Sequence, residues 1–287
     1  MRIKADLILL FVTVLWGSAF AVMRAASGHG SVFFLNGSRF LLGALLILPL
    51  AKLKGAFSRS NLLYVGLAGF ALYAGVSFQQ AGLATTTAGN GGFITSLYVV
   101  MVPFLLWIFW RERPSALIGA AVLLALGGGY LLSTGGSFQV QKGDLLVFIG
   151  SFFWAMHVVV VGKAQGKIAA LPFAFGQFAV CSALNLLTGL FFERPSQADM
   201  LAILPAILYT GVFSIAVGFT LQVVAQKYTP ANDAAIIMSL EAVFAVLFGW
   251  LFLHETLSAI QMAGCGLILA AVILVQVRNG KIKQQEH

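Results

Sequence analysis

Ten stretches of apolar sequence, each close to the length that crosses a bilayer, constrain this chain more than anything else in it. They fall at 6–26, 33–51, 62–80, 88–110, 116–134, 144–162, 172–192, 201–226, 231–253 and 258–277. A helix needs about 20 apolar residues to cross the hydrocarbon core. Of the 287 residues, 60% are hydrophobic and only 9% are charged, whereas a water-soluble domain carries about 25% charged residues. That is too little charge to cover a water-facing surface, so lipid is the expected solvent. What the ten spans leave over makes short loops, with no room for a soluble domain or a fused ATPase. The first stretch is longer than the apolar core of a signal peptide. No small-x-small cleavage site separates it from the second span, so it reads as a retained first helix.

The net charge of +8 follows from topology. With the amino terminus on one side and ten crossings, that side collects Arg2, Lys4, Lys52, Lys54, Arg59, Arg111, Arg113, Lys163, Lys167, Lys227, Arg278, Lys281 and Lys283. The other side holds Lys142 and Arg194, with Arg24 at its edge. Basic loops stay in the cytoplasm, so both termini are expected inside the cell and the chain in its inner (plasma) membrane. Nucleic acid is not an expected partner. Cys181 and Cys265 both lie in apolar stretches and read as small packing residues.

The chain also resembles itself. At a shift of 143 residues Phe70 meets Phe213, Gly75 meets Gly218, Ser77 meets Thr220 and Gln79 meets Gln222. Ala88 meets Ala231, Leu97 meets Leu240 and Glu112 meets Glu255. The first two spans need a shift of 138, which brings Trp16 onto Trp154, Phe40 onto Phe178 and Arg39 onto Gln177. The difference falls in the loop at 193–199, where an insertion costs little. A first unit at 1–134 and a second at 144–277 follow, with a linker at 135–143 and a cytoplasmic tail at 278–287. Five crossings per unit place the second copy upside down. The expected fold is therefore an all-α polytopic membrane protein, ten transmembrane helices as two inverted five-helix repeats. Inverted repeats are the architecture of secondary transporters, with a shared site near the midplane.

Ionisable and aromatic residues at membrane depth are the candidates for that site. Glu241 lies near the centre of the ninth span, where an unpaired charge is costly. It is either a group for a substrate amine or a proton, or a structural carboxyl; its repeat counterpart is Tyr98. Trp16 with Phe20, and Trp154 with His157, each share a helix face and are expected in a cavity wall, where rings stack on aromatic groups or amines. His157 is either a proton-coupling group or a satisfied neutral histidine. Asn90, Thr95 and Tyr98 on the fourth span, and Tyr73 and Ser77 on the third, form polar stripes. With Gln79 and Gln222 they fit a zwitterion or interhelical hydrogen bonds equally well. Arg39 is expected to snorkel or hold the fold, a substrate carboxylate being the alternative. No metal spacing is present, no cofactor is expected, and His254-Glu255 lacks the second histidine of a zinc helix, since Ser258 stands there.

Leu15-Trp16-Gly17-Ser18-Ala19-Phe20, Arg39-Phe40, Tyr228-Thr229-Pro230-Ala231, Ser239-Leu240-Glu241-Ala242 and Gly249-Trp250-Leu251-Phe252-Leu253-His254-Glu255 resemble the EamA family of the drug/metabolite transporter superfamily. The resemblance covers nearly the whole chain in both repeats and lies nearest to bacterial exporters of neutral and aromatic amino acids. It implies a central cavity lined by spans 1, 3, 4, 6, 8 and 9, with spans 5 and 10 peripheral. It also implies a small-molecule substrate moved without an ATPase subunit. One departure is Ala242, where the family has proline after the glutamate, so the usual cause of a kink there is missing. The expected function is export of small metabolites, amino acids foremost, by alternating access and not by catalysis. Proton-coupled multidrug efflux is the alternative, and a channel or lipid scramblase the alternative of another class.

Overall fold

The computed structural model describes residues 1–29, 31–134, 142–254 and 258–285. Of the expected linker at 135–143, residues 135–141 lie outside the described residues and Lys142 and Gly143 open a helix; Glu255, the sequence partner of Glu112, also lies outside them. Ten helical segments follow one another: α1 (Arg2–Ala26), α2 (Val32–Ile47), α3 (Arg59–Leu83), α4 (Ala88–Trp110), α5 (Ala116–Thr134), α6 (Lys142–Ala164), α7 (Ala170–Phe192), α8 (Gln197–Ala225), α9 (Ala231–Leu253) and α10 (Ala259–Gln285). Helix α10 runs on through most of the segment that the sequence marks as a tail. Lipid offers no partner to a bare backbone group, so the chain crosses as helices. Several helix starts carry side-chain caps, while α1, α2 and α7 do not. Ser58 accepts from the Asn61 amide, Thr87 from the Asn90 amide, and Ser196 and Asp199 form a reciprocal capping box.

The two halves match in detail. The fourth helix of each half, α4 and α9, spans equivalent residues and is interrupted at the equivalent place, after Ser96 and around Ser239–Leu240. The interruption in α9 thus exists without the proline that Ala242 replaces. Ser96 Oγ donates to the Phe93 carbonyl and Ser239 Oγ to the Ile236 carbonyl, both at 2.7 Å. Serine bonded back onto its own helix weakens it slightly, and Ser18 and Ser151 make the same bond in uninterrupted α1 and α6. Just beyond Ser96 and Ser239, the Leu97 amide bonds three residues back to Ile94 (3.3 Å) and the Leu240 amide to Ile237 (3.2 Å). Both helices end on a left-handed residue, Arg111 at φ 57° and His254 at φ 55°.

Several helices pack on their own counterparts: α2 on α7, α4 on α9 and α5 on α10. Around this central arrangement α1 packs on α9 and α8, and α6 packs on α4 and α3. Large apolar side chains such as Phe109, Leu123, Phe152, Leu187 and Phe252 point outward, where lipid takes them up. Inside, small residues set the spacing. A Cβ on Gly17 would lie 2.2 Å from Phe244 Cβ and 2.8 Å from the Phe244 backbone carbon, so α1 and α9 meet backbone to backbone. Polar groups tie the interior across helices: Ser182 Oγ donates to the Gly37 carbonyl (2.8 Å) and Asn36 Nδ2 to the Val76 carbonyl (3.2 Å).

Gly17→Ala is expected to destabilise the bundle by about 1–3 kcal/mol through overpacking. Gly28, with nothing within 4 Å of a built Cβ, should accept alanine. Thermal unfolding in detergent, followed by the fraction still monodisperse on a sizing column, checks the pair. Equal melting temperatures for Gly17→Ala and wild type would contradict the packing described.

Candidate functional site

A narrow cavity lies between the two halves. About 50 Å³ of it admits the centre of a water-sized sphere, room for a few waters at about 10–15 Å³ each. Its walls come largely in equivalent pairs: Trp16 and Trp154, Ala19 and His157, Phe20 and Val158, Gln79 and Gln222, Thr95 and Met238, Tyr98 and Glu241. Equivalent residues of two repeats face one void only when the void sits on the axis that relates them. The helix interruptions place Tyr98 and Glu241 there, each opening the second segment of its helix.

Phe219 fills the middle. Its ring stacks on Trp154 at 5.7 Å and 9°, and lies 4.6 Å from the Trp16 ring at 43°. His157 and Phe178 meet it edge-on at 5.7 and 6.3 Å. The backbone that carries it, Thr210–Phe219, is wound as a π-helix, a rare form found mostly at functional sites. Within that wider winding the Ser214 carbonyl accepts a hydrogen bond from Trp16 Nε1 at 3.3 Å. Each tryptophan also lies against a glycine of the other half. A Cβ on Gly218 would come 2.8 Å from Trp16 Nε1, and one on Gly75 3.3 Å from Trp154 Cε2.

The polar groups are only partly paired. His157 Nε2 and Gln177 Oε1 are 2.8 Å apart, Gln79 Nε2 donates to Thr95 Oγ1 at 2.8 Å, and Gln222 Nε2 donates to Gln226 Oε1 at 3.0 Å. The Tyr98 hydroxyl and the Glu241 carboxyl lie close enough to interact as donor and acceptor, short of good hydrogen-bond geometry. Tyr98 Oη, Trp154 Nε1, His157 Nδ1, Gln222 Oε1 and Glu241 Oε1 are buried and have no hydrogen-bond partner. Such groups are costly to bury unless something meets them. Among the described residues no set of His, Cys, Asp and Glu side chains converges as metal ligands.

Of the residues singled out in the sequence, Trp16, Phe20, Gln79, Thr95, Tyr98, Trp154, His157, Gln222 and Glu241 line this cavity. Tyr73, Ser77 and Asn90 lie away from it. Tyr73 and Thr188 share a hydrogen bond at 2.9 Å, Ser77 donates to Asn185 at 3.1 Å, and Asn90 sits in the first turn of α4 beside Thr87. Arg39 does not snorkel: it is 5% exposed, its Nε donates to Asn36 Oδ1 at 3.1 Å, and it lies over the Phe40 ring while lining the cavity. Its neighbours Asn36 and Phe40 sit three positions back and one ahead on α2 and point it inward. Phe219 carries no sequence signal, because it is one apolar residue in an apolar span and its repeat counterpart is Val76.

The EamA-like transporter family model matches residues 3–134 and again 141–277. An uncharacterised transporter of Archaeoglobus fulgidus is 35% identical over 280 residues, covering 96% of this chain and 87% of the relative. The inner membrane transporter YedA of Escherichia coli, also uncharacterised, is 26% identical over 91% of this chain and 87% of its own length. A chloroplastic WAT1-related protein of Arabidopsis thaliana is 26% identical over 92% of this chain and 67% of its own length. A solved crystal structure superposes with a TM-score of 0.76 at 18% identity, covering 98% of this chain and 99% of the other, which is a likeness of fold.

Gly218→Ala is expected to push the Trp16 indole off its seat and weaken its bond to Ser214; Gly75→Ala, with the looser contact, should move Trp154 less. Fluorine NMR of 5-fluorotryptophan-labelled protein, assigned with Trp16→Phe and Trp154→Phe, reads both shifts. An unmoved Trp16 resonance in Gly218→Ala would contradict the contact.

Proposed function

The chain belongs to the EamA-like transporter family, and we propose that this multi-pass membrane transporter exports amino acids, large neutral and aromatic ones included, by alternating access. What carries the proposal is a guanidinium and a carboxyl group, Arg39 and Glu241, lining one aromatic void between the repeats. Arg39 has no carboxylate within ion-pair distance among the described residues. A guanidinium matches a carboxylate in two-pronged fashion, so Arg39 is the group for the substrate carboxylate. Glu241 and the bare Gln222 Oε1 accept from the ammonium. Trp16 and Trp154 take the side chain on their faces.

The void is too small for such a substrate while Phe219 lies between the two indoles. Binding therefore displaces the Phe219 ring, and the π-wound stretch of α8 is where the backbone has slack to allow it. Equivalent residues around the axis supply two near-equal states, with the repeats at 1–134 and 144–277 rocking about the cavity. The basic loops argue for termini in the cytoplasm and for the plasma membrane. Proton-coupled efflux of cationic compounds is the second reading, favoured by the buried, unpartnered Glu241 Oε1.

Uptake of labelled phenylalanine, leucine, threonine and a lipophilic cation into liposomes, with and without a pH gradient, decides between them. Saturable amino-acid uptake without a gradient is expected, and cation uptake that requires the gradient would move the assignment to coupled efflux. Arg39→Gln should raise the KM for amino acids about tenfold or more, the loss of a hydrogen bond to a charged group being worth about 1.5–3 kcal/mol. Phe219→Ala should favour tryptophan over threonine relative to wild type; an unchanged ratio in competition assays would remove Phe219 from the side-chain slot.

A further inference from the structure

We propose that two equivalent hydrogen bonds between the repeats, Thr229 to Asp6 and Thr86 to Asp144, are the gates at the two ends of the transport path. Thr229 Oγ1 donates to Asp6 Oδ1 at 2.7 Å, and Thr86 Oγ1 donates to Asp144 Oδ1 at 2.7 Å. The two bonds are copies of one another. Asp6 and Asp144 correspond at the shift of 138, and Thr86 and Thr229 at the shift of 143. Each ties the first turns of a helix from one repeat, α1 or α6, to the corner after a helix of the other, α8 or α3. Those same four helices carry Trp16, Trp154, Gln79 and Gln222 at the cavity.

The bonds lie at opposite ends of the bundle. Gln80 Nε2 donates to the Met23 carbonyl at 3.2 Å, which puts the end of α3, and Thr86 after it, beside the far end of α1. From Asp6 to Met23 an α-helix rises about 25 Å. The small residues beside the bonds are equivalent as well. A Cβ on Gly143 would lie 2.1 Å from the Gly82 carbonyl oxygen, and the counterparts of this glycine pair, Ala5 and Ala225, are buried at 2% and 0% exposure. Both bonds are made in this structure. Rocking one repeat on the other opens one end by breaking its bond while the other holds.

The ends differ in charge. At the amino-terminal end Arg2 pairs with Asp233 and approaches Asp6 at 3.7 Å. The counterpart of Asp233 is Asn90, so the equivalent position at the other gate is an amide and not an acid. The amino-terminal gate is therefore held by an ion pair as well as a hydrogen bond.

The gates rest on the alternating-access reading and not on the substrate, and access can be measured without transport. In a background of Cys181→Ala and Cys265→Ser, Ala19→Cys places a reporter in the cavity wall. An impermeant maleimide is applied to each face of liposomes holding the protein. Thr229→Val, which keeps the shape and removes the hydroxyl, should speed labelling about tenfold from the amino-terminal face and leave the other face unchanged. Thr86→Val should do the reverse, Arg2→Gln should act in the same sense as Thr229→Val, and serine at either threonine should restore the wild-type pattern. Folded variants labelled equally from both faces, or at wild-type rates, would overturn the gates. A lowered melting temperature without sided labelling would do so too, because it marks an ordinary structural bond. Failure of wild-type amino-acid uptake alongside sided labelling would count against the substrate class and leave the gates standing.

Discussion

Everything in this bundle depends on the fact that lipid cannot hydrogen-bond. Backbone groups are satisfied within helices, and each polar side chain that faces inward needs a partner on a neighbouring helix or a void that a ligand or water can fill. Ser182 on the Gly37 carbonyl and Asn36 on the Val76 carbonyl are of the first kind. Tyr98 Oη, Trp154 Nε1 and Glu241 Oε1 are of the second. Five such groups, on Tyr98, Trp154, His157, Gln222 and Glu241, share the cavity between the repeats.

That location follows from duplication. A helix pair related by an axis meets its own counterpart there, as α4 meets α9, and residues at equivalent positions are brought face to face. Tyr98 and Glu241 are the sharpest example, since the same position carries a phenol in one half and a carboxylate in the other. The scaffold stays symmetric while the chemistry does not. Trp16 and Trp154 keep the symmetry, each laid against a glycine of the opposite repeat. Phe219 breaks it by filling the middle with a ring whose counterpart is Val76.

The interruptions that carry Tyr98 and Glu241 are matched in local chemistry. A serine hydroxyl bonds back to the helix at each, Ser96 and Ser239. The π-wound stretch of α8 has no counterpart among the described residues of α3, which is α-helical from Arg59 to Leu83. The two repeats thus share an interrupted fourth helix and differ in winding, and the difference lies under Phe219.

The sequence by itself determines the membrane class, the ten helices, their pairing into two units and most of the cavity wall, because each is written in local terms. Apolar length sets the spans, and matched residues at constant shift set the repeats. Ionisable or aromatic residues at depth mark what lipid will not hold unpaired. Tertiary structure alone decides that Arg39 turns inward beside Asn36, that Tyr73 and Ser77 spend their hydroxyls on α7, and that Phe219 sits between two indoles. It also decides that Thr86 and Thr229 reach aspartates on the other repeat. Those outcomes depend on which helix faces which, and a one-dimensional pattern of apolar residues, uniform around each span, carries no record of facing.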